Sequence, residues 1–244
     1  MTIRAVHMLR TLKRKIRKQL YFFSGEVDHL RPSVKIPVRW YGTMYGGFFA
    51  CPLHLGRISI VYSVGIGEDI SFDLELIRIH GCNVWGFDPT PKSVAWMARK
   101  IVPDEFNFCP IGLGPTDGSL EFFLPKDESN VSGSFCKQRN VNYSESISLE
   151  MRQLSSIAKD LEHSHIDLLK IDIEGFEYDV FQSIIDSGLT IDQICVEFHD
   201  RFFPNIPRRS LNSIQQLKSA GFEVFAVSDS LEEVSLIHRR VLGQ

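Results

Sequence analysis

Short runs of β-branched and apolar residues alternate with segments of helical periodicity along most of the chain after residue 57. Consecutive strands that are joined through a helix run parallel, so this rhythm predicts a mostly parallel sheet that is covered by helices. The strand-like runs are 58–64, 83–87, 106–111, 166–171, 191–198, 222–227 and 231–238, and the helical segments are 69–80, 91–101, 154–161, 178–187 and 210–220.

The last strand-like run, 231–238, follows its predecessor after only a short turn, so the two should pair antiparallel. We therefore predict an α/β fold with a Rossmann-like, seven-stranded, mostly parallel sheet that ends in a C-terminal antiparallel hairpin. The aromatic and glycine-rich stretch 40–49 predicts short strands and a tight turn, whereas the polar stretch 125–146 predicts a loop.

The chain divides by composition into a basic arm (1–25), a polar linker that contains proline (26–37) and a folded domain (38–244). The formal net charge of -3 conceals an asymmetry, because the arm carries seven Lys and Arg residues and no acid. The rest of the chain holds the other 20 bases against 30 acids. An acidic body of this kind excludes a uniformly basic nucleic-acid binder.

The arm has one apolar helical stripe, formed by Leu9, Leu12, Ile16, Leu20 and Phe23 at spacings of 3, 4, 4 and 3. Such a helix can rest peripherally on an anionic membrane surface. It can equally pack on the body or on a second subunit while its cations stay in water. An Arg-rich start without acids is also typical of a mitochondrial transit peptide.

The cysteines and the hydropathy pattern predict a cytoplasmic protein. The five cysteines are odd in number and widely spaced without a C-x-x-C pair, which is typical of reduced thiols and not of a disulfide framework. No stretch approaches the roughly 18 consecutive apolar residues of a membrane-spanning helix. Peripheral contact with a membrane through the arm is compatible with this compartment, and the oligomeric state is left open.

A glycine turn follows the first strand-like run, with Gly65 and Gly67 after Ser63. Open α/β sheets bind ligands beyond the carboxyl ends of their strands, although two glycines can also merely permit a tight turn. Ile70 stands where a dinucleotide fingerprint has its third glycine, and Glu68 and Asp69 would repel a pyrophosphate. Acids at this turn suit a ligand that has a cationic end and no phosphate, and S-adenosylmethionine fits that description.

Asp88 ends the second strand-like run, 23 residues after Gly65. A carboxylate at this place can accept hydrogen bonds from both ribose hydroxyls of a nucleoside cofactor. Its alternative role is to cap the helix that follows, which Thr90 could do equally well. We favour the ribose role because the spacing and the strand end agree.

Three blocks of the sequence, 60–73, 87–92 and 167–177, resemble the FkbM family of S-adenosylmethionine-dependent methyltransferases. The resemblance covers about residues 38–239, and the Lys-Ile-Asp-Ile-Glu-Gly block at 170–175 is its most specific part. It implies a class I methyltransferase fold and methyl transfer, typically to an oxygen. Many such enzymes carry an acid where this chain has Ser63, so Ser63 is a candidate cofactor-binding residue by its position, and Glu68 or Asp69 is expected to contact the cofactor ammonium. Phe176 stands where a small residue is common.

The fourth and fifth strands of the predicted parallel set deliver Asp172, Glu174, Glu197 and His199 to the same edge as the glycine turn. Methyl transfer needs a group that removes the acceptor's proton, and His199 titrates near neutral pH. Asp172 and Glu174 are the competing catalytic candidates, and Asp172 is also a candidate for cofactor binding. The two acids could instead cap a helix, and His199 could be a solvated loop residue.

These four side chains could together hold a divalent metal, but nothing in their spacing requires one, so no metal ligand is assigned. The resemblance implies a small-molecule or glycan acceptor, such as a hydroxyl of a sugar or a secondary metabolite. Aromatic residues Tyr143, Phe202 and Phe203 could stack on it or simply pack down. A catalytically silent interaction module with this fold and a nicotinamide-dependent oxidoreductase remain the alternative functions.

Overall fold

The protein is described here by a computed structural model that covers residues 3–125, 141–203 and 208–243, with side chains described for 13–123, 146–203 and 208–243. The strands are β1 (Arg39–Tyr41), β2 (Phe48–Ala50), β3 (Ile60–Val64), β4 (Asn83–Phe87), β5 (Phe106–Cys109), β6 (Gly112–Leu113), β7 (Gly118–Pro125), β8 (Val141–Arg152), β9 (His165–Ile171), β10 (Thr190–Glu197), β11 (Phe222–Val227) and β12 (Glu233–His238). The helices are α1 (Ile3–Ser24), α2 (Ser71–His80), α3 (Pro91–Met97), α4 (Leu154–Asp160), α5 (Glu177–Asp186), α6 (Arg209–Ser219) and α7 (Arg239–Leu242).

Seven strands form the central sheet in the order β11-β12-β10-β9-β3-β4-β5. Strands β10, β9, β3, β4 and β5 run parallel to one another, and β12 lies between β10 and β11 and is antiparallel to both. The predicted fold class and the C-terminal hairpin are therefore confirmed. Because β3 lies between β4 and β9, the carboxyl ends of all three strands meet at one edge.

The core lies on both faces of this sheet, since side chains alternate along each strand. On β3, Tyr62 and Val64 belong to the larger apolar cluster, while Val61 belongs to the second cluster. The larger cluster takes in buried residues of α4, α5 and α6, whereas the second takes in α2 and the β1–β2 pair. The chain thus builds a three-layer α/β structure around a sheet that is buried on both sides.

The prediction of a loop at 125–146 is wrong for residues 141–146. Residues 141–146 belong to β8, which pairs antiparallel with β7 and parallel with β6 in a three-stranded sheet. Ile147, Leu149 and Met151 alternate with polar residues, so these apolar side chains share one face of the strand. Residues 126–140, the remainder of the predicted loop apart from Pro125, lie outside the described residues.

The N-terminal segment is packed onto the domain. Val27 and Leu30 are completely or almost completely buried in the larger cluster, and the Ser33 amide donates to the Val224 carbonyl over 2.8 Å. Residues 26–37, predicted as a linker, therefore follow the edge of the sheet. Within the described part of the chain, no helix is both long enough and apolar enough to cross a bilayer.

Candidate active site

A cavity of about 660 Å³ opens at the carboxyl edge of the central sheet. Its volume lies within the roughly 300–1,000 Å³ that small-molecule sites occupy. It begins at the glycine turn after β3 and reaches the ends of β4, β9 and β10. The β1–β2 turn, strands β6 to β8, the start of β12 and one arginine of α1, Arg14, also contribute to the lining.

The turn after β3 leaves no room for a side chain at Gly65. This residue has φ +74°, and a Cβ atom there would overlap the carbonyl oxygen of Asp172. Gly67 also has a positive φ of +53°. Both glycines line the cavity, so the backbone of the turn can come close to a ligand.

Asp88 fastens this turn to the start of α3. One carboxylate oxygen accepts a hydrogen bond from the Gly67 amide over 2.9 Å, and the other accepts from the Thr90 amide and hydroxyl over 2.9 and 2.6 Å. The cap of α3 is Thr90 and not Asp88. Burial raises the pKa of Asp88, although these hydrogen bonds act to lower it. A carboxylate has about four lone-pair sites, so Asp88 retains acceptor capacity toward the cavity that it lines.

The acids of the turn lie in the lining, but Ser63 does not. Glu68 and Asp69 both face the cavity. Asp69 accepts hydrogen bonds from the Ser71 amide and the Thr43 hydroxyl, which lower its pKa although burial acts to raise it. Ser63 is completely buried inside β3 and is not among the described residues that line the cavity. It was predicted as a cofactor-binding residue, and its side chain has no access to a ligand there.

Lys170 is a buried cation that sequence reasoning did not single out. It interrupts the apolar residues of β9, which was the available signal. Its ammonium donates to the Gly65 carbonyl over 2.6 Å and lies 3.6 Å from a carboxylate oxygen of Asp172. Lys170 therefore holds the glycine turn and the acidic end of β9 together, and it also lines the cavity.

The ends of β9 and β10 bring the four predicted side chains together. The Nε2 atom of His199 lies 3.8 Å from an oxygen of Asp172, 3.4 Å from one of Glu174 and 3.5 Å from one of Glu197. All three acids line the cavity. The imidazole itself is only 1% exposed, so it is enclosed behind the carboxylates.

Glu177 fixes the other side of the imidazole. This carboxylate is completely buried, and one of its oxygens lies 3.1 Å from Nδ1 of His199 and accepts from the His199 amide over 2.9 Å. Its second oxygen accepts from the Gly175 amide. Sequence reasoning missed Glu177, because an acid in the first turn of α5 indicates only a favourable helix terminus.

The acids and the histidine shift each other's ionisation. Burial acts to lower the pKa of His199, but the charges of Glu177, Glu174 and Asp172 outweigh it and raise the pKa to about 10. Burial and the charge of Asp172 raise the pKa of Glu197 to about 8. An imidazole that is already charged, bonded to Glu177 and enclosed by acids is poorly placed as a base, so the geometry favours the less buried carboxylates, Asp172 and Glu174, for that role.

The aromatic residues considered for acceptor stacking have partners of their own. Phe202 stacks on the imidazole of His199 at 5.0 Å between ring centroids. Phe203 packs edge-on against Tyr178 at 5.9 Å. Neither is among the described residues of the cavity lining, and the side chain of Tyr143 lies outside the described part.

The lining fits a cofactor with a cationic end and a ribose. It contains eight acids and three bases, namely Glu68, Asp69, Asp88, Asp172, Glu174, Glu197, Glu232 and Glu233 against Arg14, Lys170 and Arg201. A glycine turn that admits no Cβ and a buried carboxylate with spare acceptor capacity lie at one end. This chemistry agrees with S-adenosylmethionine and opposes a pyrophosphate.

Solved structures align with this chain at low sequence identity and with TM-scores below 0.5. Methyltransferase FkbM from Methylobacillus flagellatus KT aligns over 77% of this chain and 45% of its own, with 11% identity and a TM-score of 0.46. The fibrillarin pre-rRNA processing protein of Methanococcus jannaschii aligns over 75% and 67%, with 8% identity and a TM-score of 0.45. Aeropyrum pernix fibrillarin with bound S-adenosyl-L-methionine aligns over 86% of each chain, with 8% identity and a TM-score of 0.41. This chain thus spans less than half the length of the Methylobacillus protein.

No curated protein sequence matches the chain. The Methyltransferase FkbM domain family, however, matches residues 60–224, which is more than half of the chain and includes the glycine turn, Asp88 and the acidic cluster. This match confirms the resemblance, and with it the predicted class I fold and the predicted cofactor, S-adenosylmethionine. The chain belongs to the FkbM methyltransferase family.

Proposed function

We propose that this protein transfers a methyl group from S-adenosylmethionine to a hydroxyl oxygen of a small molecule or glycan. The observation that carries the proposal is the division of one cavity into two ends. The glycine turn and Asp88 form the end that suits the cofactor, and Asp172, Glu174 and Glu197 form an acidic end on the neighbouring strands. An acceptor hydroxyl between them would meet carboxylates before it met any other base.

The bound cofactor supplies an electrophilic methyl group on its sulfonium. The residues of this chain hold the two partners in line and receive the proton. The acceptor oxygen forms the new bond to the methyl carbon as the carbon–sulfur bond breaks, which leaves S-adenosylhomocysteine. The hydroxyl proton passes to Asp172 or Glu174, which are the less enclosed acids of the cluster.

Incubation of the protein with labelled S-adenosylmethionine and a host extract of metabolites and glycans tests the proposal. Label that moves to a small molecule or glycan, released by cleavage specific for methyl ethers, supports it. Label on nitrogen, or on protein or nucleic acid, would contradict the acceptor class. Binding of cofactor without any transfer would favour a silent interaction module, and binding of NAD instead would favour an oxidoreductase.

Asp88→Asn separates cofactor binding from chemistry. We expect its affinity for S-adenosylmethionine to fall about tenfold or more, because a charged acceptor of hydrogen bonds contributes roughly 1.5–3 kcal/mol. Titration calorimetry measures the affinity, and Asp104→Asn, at an exposed position outside the lining, is the matched control. Equal affinities in the two variants would remove Asp88 from the cofactor site.

A further inference from the structure

Four ligand-type atoms converge at the acidic end of the cavity. The Nε2 atom of His199 faces oxygens of Asp172, Glu174 and Glu197 at 3.4–3.8 Å. Nε2 makes no hydrogen bond within the described part of the chain, although the imidazole is almost completely buried and points into the cluster. Three carboxylates around one imidazole leave negative charge at this end of the cavity, which a bound cation would balance.

The spacing of these atoms matches the ligands of one small cation. Four ligands at about 2.1 Å from a tetrahedral ion lie about 3.4 Å apart, and neighbouring ligands of an octahedral ion lie about 3.0 Å apart. The ligand atoms of Asp172, Glu174 and His199 all lie within 4.8 Å of one another. Side-chain movements that bring these three atoms closer together would complete a coordination shell, and Glu197, whose carboxylate oxygen is 3.5 Å from Nε2, would then be within reach as a fourth ligand.

The surroundings of His199 fix the ring as a metal ligand requires. Glu177 accepts hydrogen bonds from two backbone amides and, as a carboxylate, has only acceptor atoms. In its contact with Nδ1 of His199 the hydrogen must therefore be on Nδ1. An ion that takes the place of the Nε2 hydrogen would meet the Nε2 lone pair, which is directed toward the three acids. A carboxylate behind a histidine is the usual outer partner of histidine ligands, where it fixes the tautomer and the orientation of the ring.

We propose that Asp172, Glu174, Glu197 and His199 form a binding site for a divalent first-row transition metal such as Mn²⁺, oriented by Glu177. Oxygen ligands suit Mn²⁺, and one imidazole favours a transition metal over an all-oxygen Mg²⁺ or Ca²⁺ site. The site lies in the same cavity as the proposed methyl transfer, and an ion bound there would hold Asp172 and Glu174 as ligands, so they receive the hydroxyl proton only when the ion is absent. Binding of the ion, however, depends on the four side chains and not on the acceptor.

Calorimetric titration of the chelator-treated, full-length protein with Mn²⁺ tests this site without any measurement of activity. We expect one ion per chain, and we expect His199→Gln and the near-isosteric Glu197→Gln to weaken binding at least tenfold. Mn²⁺ should raise the melting temperature of the unsubstituted protein and not that of the two variants. Melting curves without metal show whether each variant is folded, and two substitutions guard against the failure of one.

His165→Gln is the matched control, because His165 lies with Asp167 and Asp192 in a second group of ligand-type residues. Its Nε2 is 3.0 Å from Asp192, so that histidine already has a partner. Loss of Mn²⁺ binding in His165→Gln but not in His199→Gln, or no binding at all, would overturn the proposal. S-adenosylmethionine binding and methyl transfer in the presence of chelator would then still stand as tests of the proposed function.

Helix α1 leaves part of its apolar stripe in solvent. Ile16, Leu20 and Phe23 are 52%, 63% and 93% exposed. The opposite side of the helix faces the domain, where Phe22 is buried and the Lys18 ammonium donates to the Val227 carbonyl over 2.6 Å. The stripe is therefore not what attaches the helix to the domain.

Cations border this exposed stripe. At 100° per residue, Lys13 and Arg17 lie on one side of the stripe and Lys15 on the other. All three are exposed, and none forms an ion pair with a described residue. An apolar stripe between unpaired cations is the pattern of a helix that lies in the plane of an anionic membrane surface.

We propose that α1 binds an anionic lipid bilayer, with Ile16, Leu20 and Phe23 inserted below the headgroups. Co-sedimentation of the full-length protein with phosphatidylcholine vesicles that contain about a third phosphatidylglycerol tests this. We expect binding that falls with rising salt and is weaker on pure phosphatidylcholine vesicles, because each basic residue contributes about 1 kcal/mol near an anionic surface. The double substitution L20E and F23E should abolish most of the binding.

Ile58→Glu and Ile101→Glu are the matched controls, since both side chains are fully or almost fully exposed on the domain. These variants should sediment with vesicles as the unsubstituted protein does. Equal pelleting of the double variant would overturn the membrane proposal. So would a double variant that instead changes a dimer to a monomer in light scattering, because the stripe would then serve a second copy of the chain.

Discussion

At the scale of single residues, Glu174 holds a backbone conformation that is unusual for its type. Its φ is +53°, in the left-handed region that few residues other than glycine adopt without a cost of roughly 1–2 kcal/mol. The conformation directs this residue into the lining of the cavity, next to His199. Strain at such a place is typical of positions where function and not stability determines the residue.

We expect Glu174→Gly to raise the free energy of unfolding by up to about 1 kcal/mol, because glycine relieves the strain, and to reduce methyl transfer. Chemical denaturation and a transfer assay measure the two effects. Glu162→Gly is the control, because Glu162 has a φ of +59° outside the cavity lining. It should gain stability without loss of activity. A Glu174→Gly variant of full activity would show that this carboxylate has no part in the reaction.

Asp73 is a buried carboxylate of α2 that is not among the described residues of the cavity lining. It is 1% exposed, and one of its oxygens has no hydrogen bond in the described structure. Burial raises its pKa from 3.8 to about 6, although the charge of Lys170 opposes the shift. A raised pKa in the folded state means that this group's favourable contribution is present below pH 3.8 and is lost as the pH rises through about 6.

Asp73→Asn should therefore gain stability relative to the unsubstituted protein as the pH rises. The asparagine does not titrate, so the difference in free energy of unfolding, variant minus unsubstituted, should be more positive at pH 7 than at pH 4.5. Urea denaturation across this range measures it, with the exposed Asp104→Asn as the control. A difference that does not change with pH would mean that Asp73 stays in one protonation state.

At the scale of elements, the contact between the β3 turn and the end of β9 depends on a glycine. Gly65 and Gly188 have nearly the same positive φ, +74° and +72°. An added Cβ at Gly65 would overlap Asp172, whereas at Gly188 it would meet no atom within 4 Å. The two positions therefore separate backbone strain from steric overlap.

We expect Gly188→Ala to cost about 1–2 kcal/mol from its backbone conformation alone. Gly65→Ala should cost roughly 1–3 kcal/mol more, because the turn and the end of β9 must move apart. It should also weaken the binding of S-adenosylmethionine, whereas Gly188→Ala should not. Denaturation and calorimetry of both variants check this, and equal costs would show that the two elements adjust to each other without strain.

At the scale of the whole molecule, the cavity is built from segments that are far apart in the chain. Residues near 14, 45, 65, 88, 113, 172, 197 and 232 all contribute to the lining. A ligand bound there contacts most of the layers of the domain at once. Any ligand that binds the folded chain and not the unfolded one raises its stability by RT ln(1 + [L]/Kd), which grows with the logarithm of the ligand concentration.

S-adenosylmethionine at 100 times its dissociation constant should stabilise the protein by about 2.7 kcal/mol. For a chain of this size we expect the melting temperature to rise by roughly 5–10 °C, at about 2–4 °C per kcal/mol. Differential scanning fluorimetry measures the shift, and NAD at the same concentration is the control ligand. A larger shift with NAD would contradict the assignment of the cofactor.

Much of the fold could be predicted because it depends on local pattern. The limits of β4 and β11 agree with the predicted runs 83–87 and 222–227, because a β-branched or aromatic run and its turns are recorded in the sequence itself. Helix α3 ends at Met97 and not at residue 101 as predicted. No strand was predicted where β7 and β8 lie, because β8 is stabilised by its pairing with β7, which no local pattern records.

The sequence by itself determined the alternation of strands and helices in the central sheet, and it determined the family. It also identified the four side chains at the ends of β9 and β10, since parallel strands share one edge. Only the tertiary structure decided what those side chains do to one another. It buried His199 behind three acids and fixed it with Glu177, and it enclosed Ser63 within the sheet. The physical reason is that burial and distance control ionisation and access, and both depend on residues that are distant in the chain.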